Sequence, residues 1–253
     1  MNLGGNHVLI TGGTSGIGLA LAEAFLAAGS SVAICGRSPA RLEEARHKHP
    51  ALLTQVCDMS RDDDRRQLWA WAQAVLPDLN VLVNNAGVQR DIDFTHGLRD
   101  FDHGDNELRV NLEAPIALTG LFAPLLAKNP SPVLVNVSSG LGFVPMPRMP
   151  VYCASKAGLH AFTVAVRAQL ASLGIRVVEV IPPAVDTGLN PAGRAARGGF
   201  RAGLDAPTFV AAVMRDLAAG ATEIGYGMTA GLSQAPQEEL RRRFDQMNPG
   251  TLH

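Results

Sequence analysis

Tyr152 and Lys156, in the run Tyr152-Cys153-Ala154-Ser155-Lys156, stand four residues apart. On a helix that spacing puts both side chains on one face, one turn apart. A lysine ammonium beside a phenol favours the phenolate and draws its pKa down. An unassisted tyrosine titrates at about 10, too high for a proton shuttle at neutral pH. The pair therefore suits general acid–base work. Three arbitrary residues separate two common types, so the pair is a weak signal until other parts of an active site are found.

A second cluster lies near the start of the chain. The segment Thr11-Gly12-Gly13-Thr14-Ser15-Gly16-Ile17-Gly18 follows an apolar run and leads into a helical pattern. Glycines there allow a tight turn and bring backbone N–H groups close to a pyrophosphate, whose charge the helix N-terminus favours. The spacing is Gly-x3-Gly-x-Gly rather than the Gly-x-Gly-x2-Gly of the common dinucleotide fingerprint. The next strand ends Cys35-Gly36-Arg37-Ser38 with no carboxylate to hold a ribose hydroxyl. Arg37 suits the 2′-phosphate of NADP(H), with NAD(H) as the alternative if Arg37 is a surface residue or stacks on adenine.

These residues need a scaffold, and the rhythm of the chain supplies one. Strands are expected at His7–Thr11, Ser31–Cys35, Leu52–Val56, Val81–Val83, Val133–Val137 and Ile175–Ile181, with a last one near Glu223–Gly225. Their near-continuous apolar character indicates burial on both faces, as in a parallel sheet. Helices are expected at Gly16–Ala28, from Pro39 with Ser38 as N-cap, and at Asp62–Val75, Glu107–Lys128, Tyr152–Leu173 and Pro207–Ala218. The alternation predicts one α/β domain spanning residues 1–253, a Rossmann-type doubly wound parallel sheet of about seven strands with helices on both faces. One stretch, Gly188 to Leu204, is rich in glycine and arginine and lacks periodicity. It reads as a substrate lid at the carboxyl edge of the sheet, or else as a surface loop.

Composition narrows the function classes. The 253 residues carry 22 basic and 23 acidic side chains, and no basic block marks a nucleic-acid surface. Three cysteines without CxxC spacing fit free thiols in a reducing compartment rather than a metal site. No signal peptide and no apolar run of roughly 20 residues is present, so a cytoplasmic location is expected.

Further segments complete a pattern: Asp58 after the third strand, Asn84-Asn85-Ala86-Gly87 after the fourth, Asn111 in a helix, and Ser139 thirteen residues before Tyr152. In this order the motifs resemble the short-chain dehydrogenase/reductase family over nearly the whole chain. A narrower likeness, in Ser138–Pro145, Glu179–Thr187 and Phe244–Asn248, is to its DltE-like branch of oxidoreductases. The resemblance implies an NADP(H)-preferring enzyme that interconverts a carbonyl and a secondary alcohol. Tyr152 would be the general acid or base, Lys156 would lower its pKa and bind the nicotinamide ribose, Ser139 would hold the substrate oxygen, and Asn111 would support a relay water. Ser138 is expected to point into the sheet edge.

For the cofactor, the resemblance implies Gly12, Thr14, Ser15, Gly16, Ile17 and Gly18 at the phosphates, Arg37 and Ser38 at the ribose, and Asp58 at the adenine. Asn84, Ala86, Gly87, Pro182, Val185 and Thr187 would line the remainder. Pro183 departs from the family's usual glycine and removes a backbone donor there. Partners implied are a small-molecule substrate and a second copy of the chain, as a homodimer or homotetramer pairing through its two long helices. The alternatives are an NAD-dependent alcohol dehydrogenase on the same scaffold and a non-catalytic nucleotide sensor. Arg148, between Ser139 and Tyr152, either attracts an anionic substrate or is simply exposed.

Overall fold

The computed structural model describes residues 1–102, 106–196, 198 and 203–249. Seven parallel strands form its central sheet: β1 His7–Thr11, β2 Ser31–Gly36, β3 Leu53–Val56, β4 Val81–Asn84, β5 Val133–Val137, β6 Arg176–Ile181 and, last in the chain, β9 Glu223–Gly225. Their spatial order is β3-β2-β1-β4-β5-β6-β9, so the chain reverses its winding between β1 and β4. A crevice opens outside the carboxyl ends of the strands at such a reversal, and ligands bind there.

Alternate strand residues point to opposite faces, and two cores result. Val8, Ile10, Val32 and Ile34 face α1 (Gly16–Ala27), α2 (Pro39–Lys48) and α8 (Ala206–Ala218). Leu9, Ala33, Leu82 and Leu134 face α3 (Asp62–Val75), α5 (Ala114–Leu126) and α6 (Pro150–Leu170). The all-apolar strands therefore have both sides covered. The short helix α4 (Arg99–Asp102) lies on the excursion after β4.

Two expectations are corrected. The helix over Glu107–Lys128 is interrupted by a π turn at Arg109–Glu113, where the Ala114 N–H bonds to the Arg109 carbonyl. The stretch from Gly188 is not wholly irregular. It holds α7 (Pro191–Ala196) between β7 (Val185–Asp186) and β8 (Leu204–Asp205), which pair in parallel. Residues 197 and 199–202 of that stretch lie outside the described residues. The last helix, α9 (Gln237–Met247), crosses toward the carboxyl edge. Among the described residues no helix is long and apolar enough to cross a membrane.

Candidate active site

β5 carries the chain to Ser138 and Ser139 at the carboxyl edge. Ser138 is buried against the Val180 carbonyl, as expected. Ser139 caps the next turn, its hydroxyl accepting from the Leu141 N–H at 3.1 Å, and its side chain lies near enough to the Tyr152 phenol to draw that group's pKa down. Pro150 opens α6, a position where its missing N–H costs nothing. Tyr152 thus falls in the first turn and Lys156 one turn deeper, at 6% and 4% exposure. Gly142 lets this assembly close, because a Cβ there would lie 3.0 Å from the Lys156 carbonyl carbon.

The ammonium does not act on the phenol as the spacing suggested. Lys156 Nζ donates to the Val137 carbonyl at 2.8 Å and lies 5.8 Å from the centre of the Tyr152 ring. Burial pushes the Tyr152 pKa up to about 12, although the Ser139 hydroxyl pulls it down. Burial likewise brings Lys156 down to about 8, against the opposing charge of Glu179. Low dielectric disfavours both charged forms, and it outweighs the pairwise attraction here. At neutral pH Tyr152 is a protonated donor.

Glu179 sits fully buried on β6. One carboxylate oxygen lies 2.8 Å from His160 Nδ1, and the other has no hydrogen-bond partner among the described residues. Lys156 and His160 are one turn apart on α6, so a buried anion lies beneath the lysine's end of the site.

Asn111 is wholly buried in the π turn and does not reach the cavity. Its amide accepts from the Val88 N–H and donates to the Val88 carbonyl, at 2.9 Å each, and donates to Ser155 Oγ at 3.0 Å. It ties the loop after β4 to α6, where a Cβ at Gly87 would stand 3.7 Å from Lys156 Nζ. Asn84 is also withdrawn. It is paired across the sheet with Asn136 and donates to its amide oxygen at 2.8 Å, which corrects its assignment to the cofactor. The next residue, Asn85, faces the cavity and donates to the carbonyls of Thr11 at 2.9 Å and Gly12 at 3.2 Å.

One cavity of about 1370 Å³ runs along the carboxyl edge. A pocket for a single small ligand is about 300–1,000 Å³, so this one has room for a dinucleotide and a second molecule. Gly12, Thr14, Ser15, Gly16, Ile17, Gly18, Arg37, Ser38, Asp58, Ala86, Gly87, Ser139, Tyr152, Lys156, Pro182, Val185 and Thr187 line it. Gly12 has φ +66°, and a Cβ would stand 2.8 Å from Ala86 Cα. Gly16 has φ +55°, and a Cβ would stand 2.8 Å from Thr187 Cγ2. A side chain at either would collide with the facing loop across the turn that leads into the α1 N-terminus.

At the far end Arg37 lies near Asp58. Burial raises the Asp58 carboxyl, but hydrogen bonds from Ser60 and the charges of Arg37 and Arg61 outweigh it and leave the group below its usual range. These residues fit a nicotinamide dinucleotide. Three contributors escaped the sequence reading. Arg41 lines this end from the first turn of α2, where Ser38 Oγ accepts from its N–H. Asn190, at φ +51°, donates to Asp91 and anchors the start of α7 at the cavity wall. Residues of α9 close the opposite side. A positive φ at asparagine and an amphipathic terminal helix are sequence-compatible but carry no code for position.

The short chain dehydrogenase family model matches residues 6–198. An uncharacterized oxidoreductase of Bacillus subtilis, DltE, is 43% identical over 248 residues, spanning 98% of this chain and 98% of that one. Human 15-hydroxyprostaglandin dehydrogenase [NAD(+)] is 31% identical, covering 75% of this chain and 71% of its own. A Burkholderia cenocepacia short chain dehydrogenase solved with NADP superposes with TM-score 0.79 at 26% identity, covering 96% and 99% of the two chains. The doubly wound sheet, the glycine turn and the Ser139–Tyr152–Lys156 cluster thus come with sequence kinship along the chain: this protein belongs to the short-chain dehydrogenase/reductase family and is an NAD(P)-dependent oxidoreductase.

Proposed function

We propose that this enzyme is an NADP(H)-preferring reductase that interconverts a carbonyl and a secondary alcohol, with Tyr152 as the proton carrier. The observation that carries the reading is the placement of Ser139 and Tyr152 together on the cavity wall, with Lys156 one turn below on α6. A substrate oxygen placed between the two hydroxyls receives a hydrogen bond from Ser139 and a proton from Tyr152 during reduction. In oxidation Tyr152 takes that proton back. The nicotinamide, when bound, supplies or accepts the hydride.

On the protein side, backbone groups of Gly12–Gly18 hold the phosphates, Arg37 and Arg41 meet the 2′-phosphate, and Thr187 holds the carboxamide. Lys156 binds the nicotinamide ribose by leaving its bond to Val137. Asn111 supports the relay water through its place in the π turn. The Gly188–Leu204 segment serves as the lid. Exposed Ile116 on α5 and Val164 on α6, at 42% and 49%, support a homodimer or homotetramer built through these helices. Three free cysteines support a reducing, cytoplasmic setting.

An NAD-dependent alcohol dehydrogenase is the second reading, favoured by the NAD(+) enzyme among the relatives. Turnover of a carbonyl and alcohol panel, followed by nicotinamide absorbance with NADPH beside NADH, separates the two. Tyr152→Phe is expected to lower kcat about 10²–10⁴-fold while cofactor Kd stays within about twofold. A Tyr152→Phe enzyme of native activity would refute the assigned role.

A further inference from the structure

The part of the cavity beyond Tyr152 has an unusual charge balance. Arg90, Arg148, Arg242 and Arg243 line it, and Glu239 is the one carboxylate among the described lining residues there. Most of these charges are already engaged. Glu239 accepts from both Arg242 and Arg243, and Arg243 also donates to the Met228 carbonyl at 2.8 Å. Arg90 faces the buried Glu107 at 3.7 Å.

Arg148 differs. Its guanidinium has no ion pair or hydrogen bond to any described residue, yet its backbone is fixed. The Arg148 carbonyl accepts from the Ile92 N–H at 2.9 Å, the Met149 N–H bonds to Met146, and Asn248 from beyond α9 donates to the Pro145 carbonyl at 3.2 Å. The loop therefore presents a free cation from a fastened base, four residues before Tyr152. The lining around it is apolar and adaptable: Val144, Met146, Met149, Met228, Leu232 and Met247. Methionines fit irregular aliphatic shapes, and a net positive cleft draws anions.

We propose that the substrate is an oxo or hydroxy carboxylic acid with an aliphatic body, and that Arg148 binds its carboxylate while the methionines hold the chain. A guanidinium fork matches a carboxylate in a bidentate pair. This inference rests on the carbonyl–alcohol reading given above and adds the substrate class to it.

The test uses 4-, 5-, 6- and 7-oxo-octanoate against their methyl esters, with NADPH and with NADH. The acids are expected to exceed the esters in kcat/KM by about ten- to a hundredfold, the range for a charge-assisted pair. Arg148→Ala is expected to erase most of that acid-to-ester ratio through KM, and Arg148→Lys to restore part of it. Equal use of acid and ester by the native enzyme, or a ratio unmoved by Arg148→Ala, would overturn the proposal. Calorimetry of octanoate binding to the NADP⁺-loaded enzyme gives a readout without turnover. Binding that Arg148→Ala weakens at least tenfold supports the anion site even if no ketone is reduced, an outcome that would sink the carbonyl–alcohol reading alone. Octanoate binding that is absent, or indifferent to Arg148, overturns the site itself.

Discussion

The Lys156 ammonium donates to the carbonyl oxygen of Val137 at 2.8 Å, from the strand whose next residues are Ser138 and Ser139. Helix α6 and strand β5 are thereby joined at the site by a charged group rather than by apolar packing. The bond holds the lysine away from the phenol, so the two residues titrate as separately buried groups.

That separation predicts opposite pH behaviour for the two reaction directions. Tyr152, pushed up to about 12, is a donor throughout the neutral range, while Lys156, at about 8, carries its charge below that value. Reductive kcat is expected to be level below pH 8 and to fall above it as Lys156 loses its proton. Oxidation needs the phenolate and is expected to climb with pH. Rate profiles in both directions measure this, and a reductive rate that rises through pH 8 would contradict it.

Lys156 also carries a stability cost. Its ordinary value is 10.5, so the unfolded chain binds this proton more tightly than the folded one. The penalty is full below about pH 8 and fades as pH rises toward 10.5. Lys156→Met is expected to abolish most activity yet stabilise the fold at pH 7 by about 1–3 kcal/mol, the lost bond to Val137 offsetting part of the gain. Thermal melts at pH 7 and pH 9 check it, the gain being smaller at the higher pH.

Cofactor choice is expected to follow Arg37. Removing a guanidinium from a phosphate costs about ten- to a hundredfold in affinity. Arg37→Ala should therefore weaken NADPH by that factor and leave NADH nearly unchanged, as measured by fluorescence titration. Equal losses for both cofactors would place Arg37 away from the 2′-phosphate.

The neighbouring asparagines are expected to separate stability from binding. Asn84→Ala leaves the buried Asn136 amide oxygen without its donor and should cost about 1–3 kcal/mol of stability, with cofactor affinity little changed. Asn85→Ala releases the Thr11 and Gly12 carbonyls and should weaken cofactor binding as well. Denaturation midpoints beside cofactor titrations distinguish the two effects.

Much of this site was legible in the chain because its logic is periodic or punctuated. β-branched runs marked the strands, glycines marked the turn into α1, and a four-residue interval put Tyr152 and Lys156 on one face. What escaped depended on partners far away in sequence. Whether Asn84 or Asn85 faces the cavity turns on where β4 ends, and pairing with Asn136 extends it one residue past Val83. The direction of the Lys156 ammonium depends on a carbonyl 19 residues earlier. α9 reads as a charged helix in isolation, and only the folded chain shows that its arginines and Glu239 border the cavity.

The π turn at Arg109–Glu113 has a consequence for phase. Glu107 and Leu126 are 19 residues apart, whereas a regular helix returns to the same face after about 18, in about five turns. Absorbing the odd residue in one widened turn brings the two into step. Buried Glu107 and Asn111 then share an inward face with Leu118, Phe122 and Leu126. The widened turn acts as a gear between a polar half that fastens the loop after β4 to α6 and an apolar half that packs on the sheet. Deleting Leu112 or Glu113 would disengage it, leaving the apolar half seated on the sheet while Asn111 swings off Val88 and Ser155.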